Sequence, residues 1–228
     1  MKDFQRIGGV AALIEAATYV VGLSMFFAVL TSVGYGSADP DPDTIVAFLV
    51  DNQATMYVWN LIIYIVNAIF LVVLTLALYD RLKTGAPALA QTAAAFGLIW
   101  ATLVLGSGMI ANISLGEVAN LYGKDPNQAA TFWLTLNTVQ DGLGGGNEIA
   151  GGMWIALVSW AALQAAELPR TLNYLGAIVG VAGLLTVIPL LGDVGGIIFG
   201  LGFIVWFVWV GIVLLTKPYG LGPARAAV

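Results

Sequence analysis

Residues 56–79 read MYVWNLIIYIVNAIFLVVLTLALY, 24 residues without a charged side chain. A helix rises 1.5 Å per residue, so about 20 apolar residues cross the roughly 30 Å of bilayer hydrocarbon. Working outward, six stretches qualify or nearly qualify: Ile7–Thr31, Met56–Tyr79, Ala88–Ile113, Ile149–Ala166, Leu172–Leu191 and Val194–Thr216. Five carry no charge; the first carries one, Glu15. Of the 228 residues 60% are hydrophobic and 9% charged, against about 25% charged in soluble domains. The expected fold is an all-α integral membrane protein, one domain over residues 1–228, built as a six-transmembrane-helix bundle. The first stretch is too long for the apolar region of a signal peptide and lacks a convincing cleavage site, so it reads as an anchor.

Basic residues set the expected orientation. Lys2 and Arg6 precede the first stretch, Arg81 and Lys83 follow the second, Arg170 the fourth, and Lys217 and Arg225 the sixth. Only Lys124 falls on the other side. This positive-inside bias places both termini in the cytoplasm of a multi-pass cell-membrane protein. The opposite side collects Asp39, Asp41, Asp43, Asp51, Glu117, Asp125, Asp141 and Asp193. Most prolines, including Pro218 and Pro223, sit in connections; Pro189 alone lies inside a stretch, near its outer end.

The outer loops carry helix signals. Asp125-Pro126 joins an N-cap acid to a proline at the first helical position. Beyond it Ala129, Phe132, Trp133, Leu136, Val139 and Leu143 recur at helical spacing, predicting an amphipathic helix over about 126–141 in the outer interface. A shorter helix is expected after Asp43, with Ile45, Phe48 and Leu49 on one side.

Two absences bound the chemistry. The chain has no cysteine and no histidine, so haem, iron–sulfur and zinc cofactors, imidazole relays and thiol nucleophiles are not expected. With no basic run, nucleic acid is not an expected partner. Membrane lipids are, and a protein partner or a second copy stays open.

Glu15 is the most informative residue. Counting from Arg6 puts it about 13 Å deep, with Gly8, Ala12, Thr18, Tyr19 and Gly22 on its face. A carboxylate there costs a few kcal/mol unless partnered. It reads either as a proton relay or ligand contact, or as a hydrogen-bond donor tying the first two spans together. Asn60, Tyr64 and Asn67 fall at i, i+4 and i+7 on one stripe of the second span, with Asn67 deep enough to meet Glu15. The bland reading of that stripe is interhelical glue.

A second polar group gathers on the outer side: Asn112, Asn137, Gln140, Asp141, Asn147 and Glu148, with the glycine-rich run Gly142–Gly146. It reads as an outward-facing pocket formed by Asn112, Asn147 and Glu148 beside a hinge, or as a plain irregular connection. Phe203, Trp206, Phe207 and Trp209 lie deep in the last span, as packing or as the wall of a site for a lipophilic ligand, which Trp100, Trp154 and Trp160 could extend. Small-residue stripes (Gly176-x-x-x-Gly180 with Gly183, Gly196-x-x-x-Gly200, and Gly97/Ala101/Gly108) read as packing within the monomer rather than as a dimer seam.

The segments Arg6-Ile-Gly-Gly, Ala95-Phe-Gly-Leu-Ile-Trp100, Gly108-Met-Ile-Ala-Asn112, Gly144-Gly-Gly-Asn-Glu148, Leu172-Asn-Tyr-Leu-Gly176 and Gly200-Leu-Gly-Phe-Ile-Val-Trp-Phe207 carry a likeness. Through them the chain resembles an uncharacterised prokaryotic family of small six-span proteins, the domain of unknown function numbered 4386. The resemblance implies topology and a prokaryotic membrane, and transfers no catalytic residue. Three functions remain. The first is a small-ligand-binding or transport-type bundle using Glu15, Tyr19, Tyr64, Asn67, Asn112, Asn147 and Glu148. The second is a non-catalytic structural or accessory subunit of a larger membrane complex. An intramembrane enzyme ranks last: it would need a carboxylate pair, and the sequence puts Glu15 and Glu148 at different depths.

Overall fold

The computed structural model describes residues 2–37, 39–145 and 147–216. Lys217 and Arg225, which enter the orientation argument, lie outside them, as do Pro218, Pro223 and Gly146. Among the described residues eight longer helices form: α1 Lys2–Ala28, α2 Pro42–Asp51, α3 Gln53–Leu82, α4 Pro87–Tyr122, α5 Pro126–Gln140, α6 Ile149–Ala165, α7 Arg170–Leu185 and α8 Gly192–Thr216. Among the described residues there is no strand. Four helices are long and apolar enough to cross a membrane: α1, α3, α4 and α8. The other two apolar stretches give shorter helices, α6 with 17 residues and α7 with 16.

These six helices close a ring in chain order. α3 packs on α1, α4 on α3, α6 on α4, α7 on α6 and α8 on α7, and α8 returns to α1. Hydrocarbon supplies no drive to bring apolar helices together, so close backbone approach must do it. At the α6–α7 seam a Cβ on Gly152 would lie 2.9 Å from the Gly180 carbonyl oxygen and the Leu184 nitrogen. The Gly176, Gly180 and Gly183 stripe thus packs inside the monomer. The Gly196 and Gly200 stripe does not: added Cβ atoms there meet nothing within 4 Å, because that face of α8 turns away from the ring. The expectation of internal packing fails for that stripe.

One end of the ring is basic. Gln5 donates to the Ala77 carbonyl across α1 and α3 (2.9 Å). Buried Arg81 donates to the Glu167 carbonyl (3.2 Å) and pairs with its carboxylate (3.5 Å), fastening α3 to the α6–α7 turn.

The other end is acidic and taller. At 36 residues, α4 is about 54 Å long, well beyond a roughly 30 Å hydrocarbon core. It runs past the expected end at Ile113 because Leu115 and Val118 are covered. α5 folds back along it, and α2 packs on both. The Asp125 carboxylate accepts from the Asn127 and Gln128 nitrogens (3.1 and 3.2 Å), capping α5. α2 starts two residues earlier than the sequence reading, at Pro42, and is capped by Asp41 rather than following Asp43. The Asp41 carboxyl is held below its usual range, first by the Thr44 hydroxyl. α7 ends at Leu185, not Leu191: the chain turns at Thr186 ahead of Pro189, and Leu190 is 90% exposed.

Valine at position 152 should therefore force α6 and α7 apart. Gly152→Val is expected to lower the unfolding midpoint in detergent, at a cost of about 1–3 kcal/mol, while Gly196→Ala, with open space around it, leaves the midpoint unlowered.

Candidate functional site

Glu15 sits on the inner face of α1 with no exposed surface. The amide nitrogen of Asn67 on α3 donates to one carboxyl oxygen (2.5 Å) and to the Thr18 hydroxyl oxygen (2.9 Å). The Thr18 hydroxyl in turn donates to the Glu15 carbonyl (2.8 Å). The other carboxyl oxygen, Oε1, is buried without a hydrogen-bond partner among the described residues. A buried polar atom of this kind is costly unless something satisfies it.

Asn67 reaches Glu15 through an irregularity. Leu61–Val66 form a π-helical segment inside α3, where i→i+5 bonding shifts the side-chain register. The expected single stripe therefore splits. Asn60 and Tyr64 line a small cavity against α4 and α5, whereas Asn67 faces α1. Tyr64 packs over Gly108, where an added Cβ would lie 2.4 Å from the tyrosine Cβ.

One turn beyond Glu15, Tyr19 rests against Phe203 and Phe207 of α8 (centroids 6.0 and 5.7 Å apart). It lies within electrostatic reach of both Glu15 and Glu148. The Glu148 backbone N–H donates to the Thr186 hydroxyl oxygen (2.8 Å), which donates to the Gly183 carbonyl (2.7 Å). This latch on α7 escaped the sequence reading because Thr186 stands in an apolar run with no spacing signal.

Glu148 and Asn147 line a cavity of about 270 Å³ with Phe96, Ile99, Trp100 and Leu103 of α4. Asn147 leans back on the carbonyls of Asp141 and Gly142 (3.4 and 3.5 Å). Gly144, at φ +152°, turns the chain at the cavity rim, a conformation that a side chain would oppose. Asn112 is not part of this cavity; it sits further along α4 with its amide oxygen buried and unpartnered among the described residues. Glu148 is half-buried, and desolvation pushes its carboxyl up to about 8.

Aromatic rings fill the ring of helices beneath the cavity. Trp100 and Trp154 stand 5.5 Å apart, and Phe203 packs on both (5.3 and 6.0 Å). Trp206 and Phe207 continue the cluster. Trp160 (56% exposed) and Trp209 (36% exposed) face outward and do not join it. Among the described residues no three acidic side chains gather in a way that could hold a metal ion.

The family model for a domain of unknown function, DUF4386, matches residues 9–217. The chain belongs to the DUF4386 family. No curated protein and no solved structure matches it. The match covers the whole helical ring, so Glu15, Asn67 and Glu148 all lie inside the DUF4386 region.

A carboxyl whose folded pKa is raised binds its proton more tightly in the folded than in the unfolded state. Its contribution thus favours folding least once it is ionised in both. Glu148 should make the protein progressively less stable as pH rises from about 4.5 to about 8. Melting curves across that range should flatten in Glu148→Gln relative to the parent; an unchanged pH slope would contradict the buried setting.

Proposed function

We propose that α1, α3, α4, α6, α7 and α8 all cross a prokaryotic cell membrane, with the basic end and both termini cytoplasmic. Arg6, Arg81, Lys83 and Arg170 cluster at that end, as the positive-inside rule requires. α6 and α7 are short for a full span, and a locally thinned or tilted bilayer accommodates such lengths. The chain has no cysteine, so single substitutions give a clean labelling background. Lys124→Cys should react with a membrane-impermeant maleimide in intact cells, and Thr84→Cys only after lysis. The reverse pattern would overturn the orientation.

Within that frame, we infer a small-ligand-binding or transport-type bundle in which Glu15 is the protonatable group. The observation that carries this is the bare Oε1 of a fully buried carboxyl. Partnering by Asn67 explains one oxygen and leaves the other available to a proton or a ligand. Tyr19 and Glu148 extend the polar set toward the cavity beside the Gly144 turn. Glu15→Gln preserves shape and should insert and fold like the parent, yet lose a pH-dependent ion or solute flux in proteoliposomes. If the parent shows no flux and no ligand-dependent thermal shift, and Glu15→Gln changes nothing, the chain is instead an accessory subunit. Mild extraction should then recover a stoichiometric partner.

A further inference from the structure

A third cavity, of about 590 Å³, opens at the acidic end between the α1–α2 loop, α3 and α5. Its volume falls in the range typical of small-molecule sites, about 300–1,000 Å³. No local pattern of residues announces it, because its walls come from separate segments. Five aromatic side chains line it: Phe26, Tyr35, Trp59, Tyr64 and Trp133. Tyr35 and Trp133 meet edge-on with centroids 6.0 Å apart.

The polar part of the wall is a built chain. The Tyr35 hydroxyl donates to the Asn137 amide oxygen (3.3 Å), and the Asn137 amide nitrogen donates to the Asp141 carboxylate (3.2 Å). Asp141 is thereby held at the cavity wall. None of the lining residues is basic. The indole N–H of Trp59 is buried without a hydrogen-bond partner among the described residues.

We propose that this cavity binds an organic ammonium cation between the rings of Trp59, Tyr35 and Trp133, with Asp141 as the counter-charge. Aromatic faces attract cations through the ring quadrupole, and cages of such rings suit quaternary ammonium groups, which shed water easily. A bare metal ion wants several charged oxygen ligands, and Asp141 is the single carboxylate among the described residues lining the cavity. An anion would meet a carboxylate and no positive partner. The free Trp59 donor suits a hydroxyl or carbonyl on the same molecule. A quaternary ammonium could arrive as a free solute or as a lipid headgroup; the lack of any basic side chain to hold a phosphate favours the free solute. The proposal does not depend on the role of Glu15.

Calorimetric titration of the purified full chain in non-ionic detergent tests this with three probes: choline, its uncharged carbon isostere neopentylcarbinol, and phosphocholine. Choline should bind saturably, and both other probes at least about tenfold more weakly, the loss expected when about 1.4 kcal/mol of charge-dependent attraction is removed. Asp141→Asn, a change at an exposed carboxylate, and Trp133→Leu should each weaken choline by about tenfold. Trp133→Phe should restore most of the binding if the leucine variant fails to fold. The readout is equilibrium binding of choline rather than flux, which keeps this test separate from the transport reading. No saturable choline heat, or equal binding of neopentylcarbinol, would overturn the proposal. Phosphocholine binding as tightly as choline would overturn the free-solute source in favour of a headgroup.

Discussion

One contact organises the molecule: the carboxyl of Glu15 on α1 against the amide of Asn67 on α3. A carboxyl in the middle of an apolar helix must find a partner or leave the hydrocarbon. The small face of α1 lets a partner approach, since Gly8, Ala12 and Ala16 bring no bulk between it and α3. α1 is also the helix on which α8 closes the ring. The same neighbourhood that satisfies the acid therefore shuts the bundle around it.

The ring has two unlike halves. Midway along its length it is filled by the rings of Trp100, Trp154, Phe199, Phe203, Trp206 and Phe207. Toward the acidic end the short α6 and α7 stop early while α4 continues, and α5 and α2 fold down against the protruding length. That mismatch in helix length creates the cavities. Hydrophobic packing thus sets a solid floor, and polar side chains gather where the packing ends.

Much of this was legible in the residues. The six apolar stretches correspond to six helices within a few residues at most ends, because period and length are strong local signals. Asp125-Pro126 begins a helix as its residue types dictate, and Asp41-Pro42 carries the same signal one step ahead of Asp43. What could not be read depends on three dimensions. The π-helical segment at Leu61–Val66 breaks the 3.6 period and sends Asn60 and Asn67 to different faces. Which glycine stripe packs inward, Gly176/Gly180 rather than Gly196/Gly200, depends on how each helix is rotated in the ring. The aromatic cavity joins segments about a hundred residues apart, as in Tyr35 and Asn137.

A double-mutant cycle over Glu15→Ala and Asn67→Ala, read as thermal or denaturant stability in detergent, addresses the organising contact most directly. A direct buried pair predicts a coupling on the order of 1 kcal/mol between the two changes. Additive losses would mean that the two side chains do not hold α1 to α3, and that the polar centre is not what closes the ring.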